Sequence, residues 1–134
     1  MNNIVNLTQH APTQDQQDAG VFNPTQWEAV KVLSTFDEMP TYSRCFFRAR
    51  EIAQIAKSSG ATSAMIGGAP FFMRHLEDAL HMQGIAALYA FSVRESKEET
   101  LPDGSVRKVN VFKHVGFYPA SMPRIEYDLA HEGE

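Results

Sequence analysis

Residues Ala61–Phe72 read ATSAMIGGAPFF: an apolar run, two glycines, then a proline that opens a helical pattern. Ala64-Met65-Ile66 has the character of a buried strand. Gly67 and Gly68 admit backbone angles closed to other residues, so the chain can turn sharply there and a ligand can come close. Pro70 suits the first helical position, where its missing N–H is no loss. Phe72, Leu76, Ala79 and Leu80 then recur on one face, which predicts a helix from Pro70 to about Met82, closed by Gly84. Such a junction leaves unpaired N–H groups turned toward one spot, and that spot suits an anion. GGAP is not the G-x-G-x-x-G of a dinucleotide fingerprint, nor a P-loop, because no Gly-Lys-Ser/Thr follows. A tight strand-to-helix turn without a ligand would show the same residues.

Upstream, Asn3–Thr8 alternates Ile4, Asn6 and Thr8 with Val5 and Leu7, the pattern of a strand. Thr13 with Gln16 forms a capping-box signature and predicts a short helix to about Ala19, ended by Gly20. Trp27, Val30 and Leu33 or Phe36 mark a second helix, broken by Asp37–Pro40. A third starts at Thr41 or Ser43, presents Phe47, Ile52, Ile55 and Ala56, and stops at Ser58-Ser59-Gly60. Cys45 lies in it beside Phe46 and Phe47, as a buried thiol does. Its arginines, Arg44, Arg48 and Arg50, fall mainly on another, solvated face.

Downstream, Ile85–Val93 is nearly all apolar, as in a strand covered on both faces. Leu101-Pro102-Asp103-Gly104 is a turn signal, and Val106–Phe117 is β-rich again. Tyr89–Phe117 therefore reads as one long hairpin with a solvated tip, Glu95–Thr100, holding three glutamates. With Asp103-Gly104 as a two-residue loop, Arg94 faces Lys113 and Val93 faces His114. The acidic tail, Ser121–Glu134, is weakly patterned; it packs through Ile125 and Tyr127 or frays.

These 134 residues fit one domain, 1–134, large enough for a core. The composition, 43% hydrophobic and 21% charged, is that of an ordinary globular protein. One cysteine excludes an internal disulfide and fits a reducing cytoplasm. No apolar run approaches the ~18 residues of a membrane span, and no signal peptide is visible. A net charge of −4 argues against duplex nucleic acid as a partner but not against a small phosphate ligand. The histidines lack metal-ligand spacing, so no metal or cofactor is expected. The element order implies an α/β, Rossmann-like layer: a short, mostly parallel sheet with an antiparallel hairpin extension.

In such sheets ligands lie beyond the carboxyl ends of the strands. That rule gathers Thr8, Gln9 and His10, then Gly67, Gly68 and Ala69, and, past the third parallel strand, Ser92, Arg94 and Ser96. Arg94 is an always-charged fork suited to phosphate oxygens, or an exposed strand arginine paired with a hairpin glutamate. Lys113 and His114 join this set if the register holds; Lys113 would otherwise guard an edge strand. His10 stands between a strand end and a helix cap, where an imidazole serves either a ligand or a loop carbonyl.

The opening NLTQHAPTQDQ and the run IGGAPFFMRHLEDALHMQGIAALYAFSVR resemble the small single-domain Rossmann-like proteins of type III CRISPR systems. Those are similar to the sensory CARF domain, and some act as ring nucleases. The resemblance, which does not extend to the hairpin tip, implies a homodimer holding a cyclic oligoadenylate across its two-fold axis. It implies cleavage without metal, a ribose 2′-hydroxyl attacking the adjacent phosphate to leave a 2′,3′-cyclic phosphate. Carried onto this chain, Gly67, Gly68 and Ala69 cradle phosphate, Thr8 to His10 lie beneath the ring with Ser92 and Ser96 at hand, and Arg94 with Lys113 or His114 neutralises the phosphorane. From another class comes an alternative: a non-enzymatic interaction protein of a phage, plasmid or defence island, docking through the acidic tip. A generic nucleotide- or sugar-phosphate enzyme is a third, disfavoured by the shortness of the chain.

Overall fold

A computed structural model describes residues 2–120; the expectation for the tail Ser121–Glu134 lies outside them. The elements run β1 (Ile4–Asn6), α1 (Gln14–Asp18), β2 (Val21–Phe22), α2 (Trp27–Leu33), α3 (Tyr42–Ser58), β3 (Ser63–Ile66), α4 (Pro70–Met82), β4 (Ala86–Thr100) and β5 (Val106–Pro119). Local chemistry sets most of these limits. Thr13 and Gln16 close a reciprocal capping box on α1, and the Thr41 hydroxyl caps α3 by accepting from the Arg44 N–H. Pro70 opens α4, and Gly84 ends its last turn at a φ of 74°.

The five strands form one mixed α/β sheet in the order β2-β1-β3-β4-β5. The first four pair in parallel and β5 returns antiparallel. β2 was not foreseen: two residues between Gly20 and Asn23 are too few to show a period. The chain leaves β1 toward β2, then crosses back over β1 to reach β3 and continues outward to β4. Right-handed crossovers in opposite directions put α1 on one face and α2, α3 and α4 on the other.

The larger core joins those three helices to Val5, Leu7, Ala64, Ile66 and Ala87 on one sheet face. Phe72, Leu76 and Leu80 of α4 are sealed in it, each side chain contributing about 1.5–3 kcal/mol of apolar burial. α3 packs through Cys45, Ala49, Ile52, Ala53 and Ala56. Phe47, expected on that face, stands two residues from both Cys45 and Ala49, so at about 3.6 residues per turn it falls on the opposite side of the helix and is exposed. The opposite sheet face is smaller: Ile4, Val21 and Met65, with Leu88 and Phe117 against them.

β4 outgrows the sheet. Only Ala86–Tyr89 pair with β3, so cover on both faces, expected through Val93, ends there. From Ala90 onward β4 and β5 continue as a two-stranded arm. The expected register needs correction. The loop is Leu101–Ser105 rather than Asp103-Gly104 alone, because Leu101 N–H donates to the Ser105 carbonyl and Thr100 pairs Val106. Arg94 therefore faces Phe112, Val93 faces Lys113, and Ser92 faces His114. Between Phe91 and Ser92 the ladder shifts by one residue, leaving Val115 as a bulge.

Candidate functional site

Asn6, the last residue of β1, sits among apolar neighbours yet is fully buried. Its amide nitrogen donates to the His10 carbonyl and to Asn23 Oδ1, both at 2.8 Å. Its amide oxygen accepts from the Thr8 N–H at 2.9 Å and the Thr8 hydroxyl at 2.7 Å. One side chain thereby satisfies the chain as it leaves the sheet and fixes the path of Thr8–His10. Trp27 adds a clamp from α2, its indole N–H donating to the Thr8 carbonyl at 2.8 Å. Gln9 is tied away from the sheet by its amide, which donates to the Ser34 carbonyl and the Thr35 hydroxyl. The His10 imidazole is exposed and makes no hydrogen bond among the described residues, although its backbone is held at both ends.

Beside this loop, β3 ends at Ile66 and the chain turns through Gly67-Gly68 into α4. Gly68 has a φ of 154°, which disfavours a side chain, whereas a Cβ at Gly67 would meet only the Thr8 methyl at 3.8 Å. The N–H groups of Gly67, Gly68 and Ala69 make no hydrogen bond among the described residues. None of their side chains caps α4. This is the unpaired donor set that the Gly-Gly–Pro pattern implies.

The two loops enclose a cleft of about 570 Å³ at the carboxyl ends of β1 and β3, beside the point where β4 leaves the sheet. Thr8, Gln9 and His10 line one side and Gly67, Gly68 and Ala69 another; Ile66, Phe72 and Met73 give an apolar floor. Tyr89 and Ala90 form the wall on the β4 side. Among the described residues no carboxylate and no Lys or Arg lines the cleft, so an anion there meets backbone donors and His10 without acidic opposition from them. The Tyr89 hydroxyl donates to Glu77 Oε2 at 2.8 Å; burial first, then that carboxylate, pushes its pKa up, so the phenol stays neutral.

The position of the cleft follows from the topology. The winding reverses between β1 and β3, so their following loops part to opposite faces and leave a crevice where open α/β sheets bind ligands. Six of the expected residues thus meet: Thr8, Gln9, His10, Gly67, Gly68 and Ala69. Five do not line the cleft, because they belong to the arm. Ser92 and Ser96 are exposed on it, Ser96 meeting Asn110 at 3.3 Å. The Arg94 guanidinium lies over the Phe112 ring at 5.6 Å. Lys113 Nζ is 3.9 Å from Glu95, and His114 stacks edge-on against Phe117 with Nδ1 buried and unpartnered among the described residues.

Asn6, Trp27 and Tyr89 are the residues that sequence reasoning missed. The signal for Asn6 was present: a lone amide at the end of a strand, followed at once by a hydroxyl residue and a loop. No cluster of potential metal ligands occurs among the described residues, and none of their helices is long and apolar enough to cross a membrane.

The model of the uncharacterized protein MJ1673 family matches residues 2–118, and the chain belongs to that family. The match spans cleft and arm alike. No curated protein and no solved structure matches the chain.

Proposed function

We propose that this member of the family is a Rossmann-like binding domain for a nucleotide second messenger of the cyclic oligoadenylate class, held in the cleft between β1 and β3. The observation that carries it is the row of three N–H groups, Gly67 to Ala69, that have no partner among the described residues, at the point where the winding reverses. Backbone donors there take phosphate oxygens without a counter-charge. The apolar floor of Ile66, Phe72 and Met73 suits the face of a base, and His10 stands at the rim for a second phosphate or a ribose hydroxyl. The strand order and the resemblance carried by NLTQHAP and IGGAPFF support the same ligand class.

Binding, rather than cleavage, is what the geometry supports. The cations expected to neutralise a phosphorane, Arg94 and Lys113, are engaged on the arm with Phe112 and Glu95. Docking through an acidic tip loses its motive, because the tip is not acidic once paired. Glu95, Glu98, Glu99 and Asp103 stand against Lys97, Arg107, Lys108 and Lys113, with Arg107 bridging Glu99 at 3.1 Å.

Labelled cyclic tetra- and hexa-adenylate, titrated against the full chain, test the proposal. A gel shift that is saturable at micromolar protein and displaced by unlabelled ligand is expected, and the bound ligand is recovered intact. The absence of binding to either ring would overturn it.

A further inference from the structure

The arm is a two-stranded ribbon with a peculiar pair of edges. From Ala90 to Thr100 it rises about 35 Å past the carboxyl edge of the sheet, at roughly 3.3 Å per residue. A ribbon of two strands is marginal in water by itself. Phe91, Val106, Phe112 and Val115 are exposed on it. Among the described residues both its edges lack partners beyond Tyr89.

The edges differ in charge. The outer edge, β5, carries Arg107, Lys108 and Lys113 with no acidic residue, so a second β5 laid against it is repelled. The inner edge, β4, reads Arg94-Glu95-Ser96-Lys97-Glu98. Reversed about Ser96, this run becomes its own complement: Arg94 falls opposite Glu98, and Glu95 opposite Lys97. Centring one residue earlier sets Glu95 against itself, and one later sets Lys97 against itself. Of the three, only the Ser96 register pairs every charge of this run; Glu99, which bridges Arg107, falls opposite Val93.

Backbone phase agrees. Leu101 N–H donates to the Ser105 carbonyl and the Leu101 carbonyl accepts from the Gly104 N–H, so both backbone groups of Leu101 face the returning chain. Counting back along an antiparallel ladder, Arg94, Ser96 and Glu98 occupy the alternate pairs, whose N–H and C=O groups point away from β5. An antiparallel copy centred on Ser96 meets those outward groups with the same outward groups of its own.

We propose that this edge is a homodimer interface: two copies pair β4 to β4 about a two-fold axis at Ser96, joining the arms into a four-stranded antiparallel sheet. The contact is isologous and closes at two, since the edges left outside are the mutually repelling β5 strands. In this register Thr100 of the second copy lies opposite Ser92, in the lane that β3 vacates after Ile66. The second copy's loop thereby arrives beside Gly67-Gly68 and supplies the cleft with a further wall.

Sedimentation equilibrium of the full chain, without ligand, tests this over about a hundredfold range of concentration. A dimer is expected. Arg94→Glu should weaken it by at least about tenfold, since like charges then face each other twice across the axis. Adding Glu98→Arg to that variant should restore it. Ser96→Pro should abolish the dimer and leave the hairpin formed, because the lost N–H points away from β5 and serves only the inner edge; unchanged far-UV circular dichroism checks the fold. A monomer throughout, a dimer indifferent to Arg94→Glu and Ser96→Pro, or a double variant that stays monomeric would each overturn the proposal. The two proposals fail separately: a monomer that binds cyclic oligoadenylate removes the dimer alone, and a dimer that binds none removes the cleft proposal alone.

Discussion

Asn6 shows how much a single side chain can determine. In the sequence it alternates with Val5 and Leu7 and so looks like the solvent side of a strand. In the fold that side is closed, and the amide makes four hydrogen bonds that carry the chain from β1 into the cleft rim. Asn6→Ala leaves the His10 carbonyl and the Thr8 N–H without this partner and is expected to destabilise the protein by about 2–4 kcal/mol in urea denaturation. Asn6→Asp should cost at least as much, since a carboxylate cannot donate to His10 or Asn23. The two glycines make a sharper pair. Gly68→Ala must hold a side chain at a φ of 154°, and about tenfold weaker ligand binding is expected from the disturbed turn. Gly67→Ala finds ordinary contact space, so near-native affinity is expected. Equal losses at both positions, measured by titration, would mean that backbone shape at Gly68 is not what matters.

Among the elements, those with strong local chemistry were legible. The limits of α4 follow from Pro70 and Gly84, and those of α1 from its capping box. The face of α3 was not, because alanines at 49, 53 and 56 carry little periodic signal beside Phe47, whose size suggests burial that its position denies. The hairpin was legible as an object but not in register. Asp-Gly marks a tight turn, yet Asp103 serves a wider one: its carboxylate accepts from both the N–H and the hydroxyl of Ser105. Those bonds lower the Asp103 pKa. A depressed carboxylate adds stability above its unfolded value, about 3.9, and loses it as pH falls through the folded value. The Ser105 amide resonance should therefore titrate with a midpoint below that of an ordinary aspartate, and Asp103→Asn should remove the transition. An amide that moves only with the ordinary midpoint would show that the turn is held otherwise.

At the scale of the whole molecule, the cleft exists because of two residues with no readable pattern. Without Val21-Phe22 beside it, β1 would be an edge strand, the winding would not reverse, and the loops after β1 and β3 would not part. The sequence names what lines the cleft, at Thr8–His10 and Gly67–Ala69, but not the strand order that opens it. Nor does it show that β4 carries Ser92 and Arg94 past the rim, since nothing local tells a strand that its neighbour has ended. Because the cleft is built from the ends of the core strands, occupancy should be felt by the fold as a unit. A ligand at a hundred times its Kd that binds only the folded state adds about 2.7 kcal/mol. For a chain of this size that raises the melting temperature by roughly 8–13 °C. Cyclic tetra- or hexa-adenylate is expected to produce this rise in a thermal scan, and Gly68→Ala to reduce it at the same ligand concentration. A rise in the variant equal to that in the natural chain would place the ligand elsewhere, away from the Gly-Gly turn.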